Sequence, residues 1–129
     1  MQPSLTFRTD ATYSLVVATS MGVRITPQAG QPVHSSSLYS LQATSAETNV
    51  ASIASSLGLP VKVLTAFVAG SPIARFIRDD LASRHMAVEG PERPQGGPWG
   101  YRHQFNIADS GMGTRGPRVH NDRAGEIGR

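Results

Sequence analysis

Apolar positions change period several times along the chain, and each change marks an element. Leu15-Val-Val-Ala18 is a short continuous apolar run, the pattern of a buried strand. Gly22-Val-Arg-Ile-Thr26 reads as its continuation or as a partner strand, and Pro27 to Pro32 as a loop rich in Pro, Gly and Gln. Ser37-Leu-Tyr-Ser-Leu-Gln42 fits a further short strand. Val50, Ile53, Ala54 and Leu57 then recur at i, i+3, i+4 and i+7, which predicts a helix over 46–57 with that stripe facing a core. Ser45 is a suitable N-cap, Gly58 can end the helix in a left-handed conformation, and Pro60 forbids continuation. The β-branched run Val61-Lys-Val-Leu-Thr-Ala-Phe-Val68 predicts a buried strand. A second helix follows, with Ser71 as cap and Pro72 at its first position. Ile73, Phe76, Ile77 and Leu81 face inward, while Arg75, Arg78, Asp79 and Asp80 fill its outer face. Strand, helix, strand, helix argues for an α/β fold with a doubly wound sheet and crossover helices.

The pattern loosens after Glu89. Gly90 to Gly100 is a turn-rich connection, and Tyr101–Ile107 and Arg118–Arg123 read as two strands joined by the glycine-rich stretch 109–117. Such a hairpin has too little apolar surface to stand alone and should pack on the α/β layer. Residues 1–14 are polar and expected to be a flexible N-terminal segment, leaving 15–129 as the folded unit.

Composition narrows the function classes. The chain has no Cys, so disulfides and thiolate metal sites are excluded and a reducing, cytoplasmic setting is expected. His34, His85, His103 and His120 share no metal-ligand spacing. Eleven of the twelve basic residues are Arg, but they are scattered and the net charge is only +3, so no nucleic-acid partner is expected. Nothing resembles a signal peptide, and the longest apolar stretch, near 61–69, is too short for a membrane span and contains Lys62. Gly111-Met-Gly-Thr-Arg-Gly116 shares only its glycines with a phosphate loop, lacking the Gly-Lys-Ser/Thr ending.

Three segments carry more information. Thr44-Ser-Ala-Glu-Thr-Asn-Val-Ala51 followed by Leu57-Gly58 resembles the Gly-Gly-Ala-Glu-Ala-Asn-Val-Ala helix start of PfkB (ribokinase-like) carbohydrate kinases, with Thr44 and Ser45 in place of the glycine pair. Pro72, Phe76, Ile77 and Leu81 match that family's next helix, although Ala69, Gly70 and Ala74 depart from its Gly-Asp and Gly positions. Gly116-Pro-Arg-Val-His-Asn-Asp-Arg-Ala-Gly125 is similar to the Arg-Val-x-Tyr-x-Arg-x-Gly strand of 2-keto-3-deoxygluconate kinases and their relatives, with Asn121 at the aromatic position and Arg123 at the arginine. The matches occur in the family's order from about Leu15 to Arg129.

The resemblance implies a Rossmann-like ribokinase fold with a β-strand lid hairpin over about 99–125, present here as an incomplete, N-terminal portion of the domain. It implies a sugar or sugar acid as ligand, held by Asn49, Arg123, Ser45, Gln104 and Asn121, with His103 and Asn106 as further candidates from a strand whose inward parity stays open. Asn49 can give both a donor and an acceptor to adjacent hydroxyls. Arg123 suits a carboxylate or phosphate, with pairing to Asp122 or Glu126 as the alternative. The family's phosphate-binding Gly-Ala-Gly-Asp-like segment, whose Asp is the catalytic base, does not occur in these residues. The parent activity would be ATP- and Mg²⁺-dependent transfer to a sugar hydroxyl, with no catalytic residue, cofactor or metal site expected in this chain alone. The resemblance also implies a homodimer through the lid. The competing reading is non-enzymatic: a sugar-binding or subunit-interaction module, or an unstable fragment.

Overall fold

A computed structural model describes residues 8–128. The expected flexible N-terminal segment therefore lies partly, at 1–7, outside the described residues. Three parallel strands, β1 (Leu15–Ala18), β4 (Val61–Leu64) and β6 (Met86–Glu89), pair in the order β1-β4-β6. Two helices, α1 (Ala46–Ser56) and α2 (Pro72–Ser83), make the crossovers. Successive right-handed crossovers that step in one direction across a sheet put their helices on one face. Among the described residues both helices indeed share one core with Val61, Val63 and Met86.

A second sheet combines two strands inserted between β1 and α1 with two that follow β6 in sequence. Its strands are β2 (Gly22–Pro27), β3 (Tyr39–Thr44), β8 (Gln104–Asp109) and β9 (Arg118–Asp122), in the order β3-β2-β8-β9. The expected hairpin is β8–β9, and it does not stand alone, because β8 runs parallel to β2 with Arg24 opposite Asn106. Residues 22–26 thus belong to this lid sheet and not to a continuation of β1. Close approach sets the join: a Cβ on Gly22 would meet the Gln104 carbonyl oxygen at 2.6 Å. The predicted strand 61–68 is also divided. After β4 the chain turns through Thr65 and Ala66, and β5 (Phe67–Val68) pairs with β7 (Glu92–Arg93) in a two-stranded ribbon.

The core lies where the two sheets and both helices meet. Met21, Val23, Phe67, Ile77 and Leu81 are fully buried there, each contributing about 1.5–3 kcal/mol of burial. α2 follows its predicted stripe, with Ile77 and Leu81 buried and Ile73 and Phe76 packed beside them. Its outer face does not: Asp80 accepts from the Ala43 amide at 2.8 Å and pairs with Arg84, which donates to the Ala43 carbonyl at 2.8 Å. These charges fasten the end of β3 to α2. α1 keeps only Ala54 of its predicted stripe against the core. Its buried residues are Thr48, Ala51 and Ser55, while Val50, Ile53 and Leu57 are 60%, 64% and 73% exposed. Small side chains let the helix approach β1 and β4 closely, so the apolar stripe points outward.

Candidate functional site

The lid sheet has two unlike faces, because strand side chains alternate. Val23, Ala43 and Phe105 pack against the core. Arg24, Gln104, Asn106 and Asn121 lie on the opposite, polar face and look onto the first turn of α1. The result is a polar cleft of about 400 Å³, closed at one end by Thr19 and Ser20 after β1. Ser45, Asn49, Gln104, Asn121 and Arg123, distant in sequence, all line it. The parity left open by sequence is fixed by Phe105: Gln104 and Asn106 face the cleft and His103 turns into the core.

Each side chain reaches the cleft with a different degree of freedom. Ser45 is the α1 N-cap. Its hydroxyl accepts from the Thr48 amide at 3.0 Å, and its own amide donates to Thr48 Oγ1 at 3.0 Å. That reciprocal cap occupies much of the hydroxyl's bonding capacity. Asn49 sits one residue further on and is exposed to the cleft, so both halves of its amide are available to a ligand. Gln104 donates to the Ser20 carbonyl at 3.4 Å, and Asn106 donates to Asn121 at 2.6 Å across the β8–β9 pair.

Arg123 follows β9 and grips Glu126 with two bonds, Nε to Oε2 at 2.8 Å and a terminal nitrogen to Oε1 at 3.3 Å. Glu126 is held in place by its chain. Arg102 accepts from the Ile127 amide at 3.0 Å and donates to the Gly125 carbonyl at 2.8 Å. The bond to Glu126 first, and its charge second, raise the Arg123 pKa further. Glu47 accepts from the Thr19 hydroxyl at 2.6 Å, and this bond is the main reason its pKa is lowered, with the Arg123 charge a lesser contribution. The cleft thus stays charged at neutral pH.

Sequence reasoning did not single out Arg24 or Ser20. Arg24 Nε and Ser20 Oγ are both buried without a hydrogen-bond partner, and both residues line the cleft. An unpartnered buried polar group costs about 1–3 kcal/mol, so two in one cleft point to a ligand or water between them. The only sequence signal was Arg24 itself, a charge between two apolar residues in a strand, which reads equally as a solvated position.

No triad of His, Asp or Glu among the described residues converges as a metal site. Neither helix start forms a phosphate cradle, since Ser45 and Ser71 cap α1 and α2 with their own hydroxyls. The Gly111–Gly116 loop is closed by Met112 and Arg115, whose backbones pair at 3.0 and 2.9 Å. Among the described residues no helix is long and apolar enough to cross a membrane.

No protein-family model and no curated protein matches the chain. Solved structures do match. A PfkB family carbohydrate kinase from Listeria grayi superposes with a TM-score of 0.76 at 24% identity, over 88% of this chain and 34% of that one. The 2-dehydro-3-deoxygluconokinase of Thermotoga maritima gives 0.77 at 19%, over 88% and 33%. An uncharacterized sugar kinase of Pyrococcus horikoshii, in complex with ATP, gives 0.66 at 12%, over 87% and 35%. The chain therefore has the fold found in about a third of these kinases' length, which agrees with the ribokinase-like α/β fold and incomplete domain expected from sequence.

Proposed function

We propose that this chain forms the acceptor-sugar side of an ATP-dependent sugar kinase, in which the γ-phosphate passes to a hydroxyl of a sugar or sugar acid. The observation that carries the reading is the convergence of Ser45, Asn49, Gln104, Asn121 and Arg123 on one polar cleft, in a fold otherwise found in sugar kinases. Asn49 has both a donor and an acceptor for vicinal hydroxyls. Gln104, Asn106 and Asn121 form a neutral polar floor that suits a polyol. Thr44 and Ser45 are 4% and 8% exposed and stand where the resembling kinases carry glycines, so the ligand sits further from the α1 backbone than a glycine pair would permit.

ATP would supply the phosphoryl group and Mg²⁺ would neutralise its charge, but the described residues fit neither, because both helix starts are self-capped and no acidic cluster is present. No step of the transfer is assigned to this chain. Calorimetric titration with a panel of hexoses and sugar acids tests the reading. Saturable binding that Asn49→Ala weakens severalfold is expected; no saturable binding of any sugar would refute it.

A second reading, an interaction module, is favoured by one feature. The sheet face opposite the helices is left open at Val16 and Leu64, and the outward stripe of α1 is exposed on the helix side. Parallel sheets are normally covered on both faces, so a polypeptide that completes the layer is the partner this surface fits. Pairing of two copies through the lid is compatible with the exposed Leu38, Tyr39 and Leu41 at the lid's outer end. The absence of Cys suits a cytoplasmic setting.

A further inference from the structure

The two arginines of the cleft are not equivalent. Arg123 is already matched: it grips Glu126 with two bonds and feels the charge of Glu47. Its electrostatic demand is met before any ligand arrives. Arg24 lines the same cleft from β2, opposite Asn106 on β8, yet makes no ion pair with any described carboxylate, and its Nε is buried without a partner. Ser20 Oγ, at the end of the same cleft, is likewise buried and unpartnered. Two donors without acceptors, one of them cationic, define a subsite that lacks an anion.

We propose that Arg24, and not Arg123, is the residue that selects a carboxylate-bearing sugar, with Ser20 as the second donor to the same anionic group. This rests on the sugar-binding reading above and adds the ligand's charge class and the residue that reads it. A guanidinium held in a strand presents its donors in a fixed plane, which fits the planar carboxylate of an aldonic acid. Asn49, on the opposite wall, is then free to take hydroxyls further along the same carbon chain. Arg123 becomes a positioning residue that fixes the chain after β9 through Glu126.

The test uses a matched pair of probes that differ only at the terminal carbon, gluconate and glucitol, titrated calorimetrically into the full chain. Gluconate is expected to bind tighter by roughly tenfold to a hundredfold, the range of a charge-assisted contact. Arg24→Met should bring the ratio near one while leaving glucitol affinity unchanged, and Arg24→Lys should retain part of the preference. Arg123→Met should leave the ratio standing. Far-UV circular dichroism and a thermal melt on each variant separate loss of the contact from loss of the fold, and Arg24→Lys serves if Arg24→Met does not fold. Equal binding of both probes by the unmodified chain would overturn the assignment while leaving the sugar-cleft reading intact. So would a gluconate preference that survives Arg24→Met or vanishes in Arg123→Met. If neither probe binds, the assignment falls, while the cleft reading is decided by the sugar panel above.

Discussion

Ser45 and Asn49 stand four residues apart at one helix start, yet their side chains do separable work. The Ser45 hydroxyl is 3.0 Å from the Thr48 amide and buried with it, so its bond belongs to the helix. Ser45→Ala removes that acceptor and leaves a helical amide without one. The expected loss is about 1 kcal/mol of stability, read as a lower denaturant midpoint at unchanged slope. Asn49 is exposed in the first turn of α1 and its side chain supports nothing in the fold. Asn49→Ala should leave the midpoint within a few tenths of a kcal/mol, since alanine is the better helix former, while weakening sugar binding. If both variants lose stability equally, Asn49 is structural and its place in the cleft is incidental.

At the scale of elements, helix ends were the most legible part of the sequence because their chemistry is local. Gly58 has φ +79, and Leu59 donates back to Ala54 at 3.2 Å, closing α1 where the Gly-x-Pro pattern indicated. The other helix end is less well served. His85, just past α2, adopts φ 58 without being glycine. A left-handed conformation costs an ordinary residue about 1–2 kcal/mol, partly offset by the entropy that glycine would add to the unfolded chain. His85→Gly is therefore expected to stabilise by about 0.5–1 kcal/mol, measured as a higher midpoint in urea; a loss of stability would mean that the imidazole makes a contact worth more than the strain. What sequence did not disclose was non-local. Periodicity found an apolar stripe on α1, but the face that packs is Thr48, Ala51 and Ser55, because close approach to a sheet selects for size as well as polarity. The four residues of β6 were too few to declare a period. The assignment of β2 to the lid rather than to β1 depends on β8, some eighty residues later. Ser45, Asn49, Asn121 and Arg123 were legible because each sat in a motif and Gln104 because its strand precedes one, whereas Arg24 and Ser20 emerged only from what surrounds them.

On the scale of the whole molecule, His103 ties the lid sheet to the β5–β7 ribbon. Its Nδ1 donates to the Met21 carbonyl at 3.2 Å, its Nε2 accepts from the Val68 amide at 3.4 Å, and its ring packs at 6.0 Å from Phe67. Burial is the larger influence and lowers its pKa below the ordinary 6.5, against a smaller opposing effect of the Met21 carbonyl. A group whose pKa is depressed by folding contributes stability that is fully present above about pH 6.5 and is lost as pH falls below that value through the lower folded-state pKa. The melting temperature should accordingly drop between pH 7 and pH 5, and His103→Gln should be less stable at pH 8 but flatter across that window. A wild-type profile as flat as the variant's would remove His103 as the cause. The same scale exposes the molecule's unbalanced surface. Val16 and Leu64 on the open sheet face are 49% and 37% exposed, and on the helix side Val50, Ile53 and Leu57 of α1 are exposed as well. Exposed apolar side chains on both sides of the layer favour association, and β1 is an edge strand of its sheet, with unpaired backbone groups that template further pairing. The isolated chain should therefore grow in mass with concentration by light scattering. Ile53→Glu combined with Leu64→Lys should restore a monomer without lowering stability by more than about 0.5 kcal/mol, because neither side chain is in the core. A wild-type chain that stays monomeric across the whole concentration range would show that this surface needs no partner, and the interaction-module reading would lose its support.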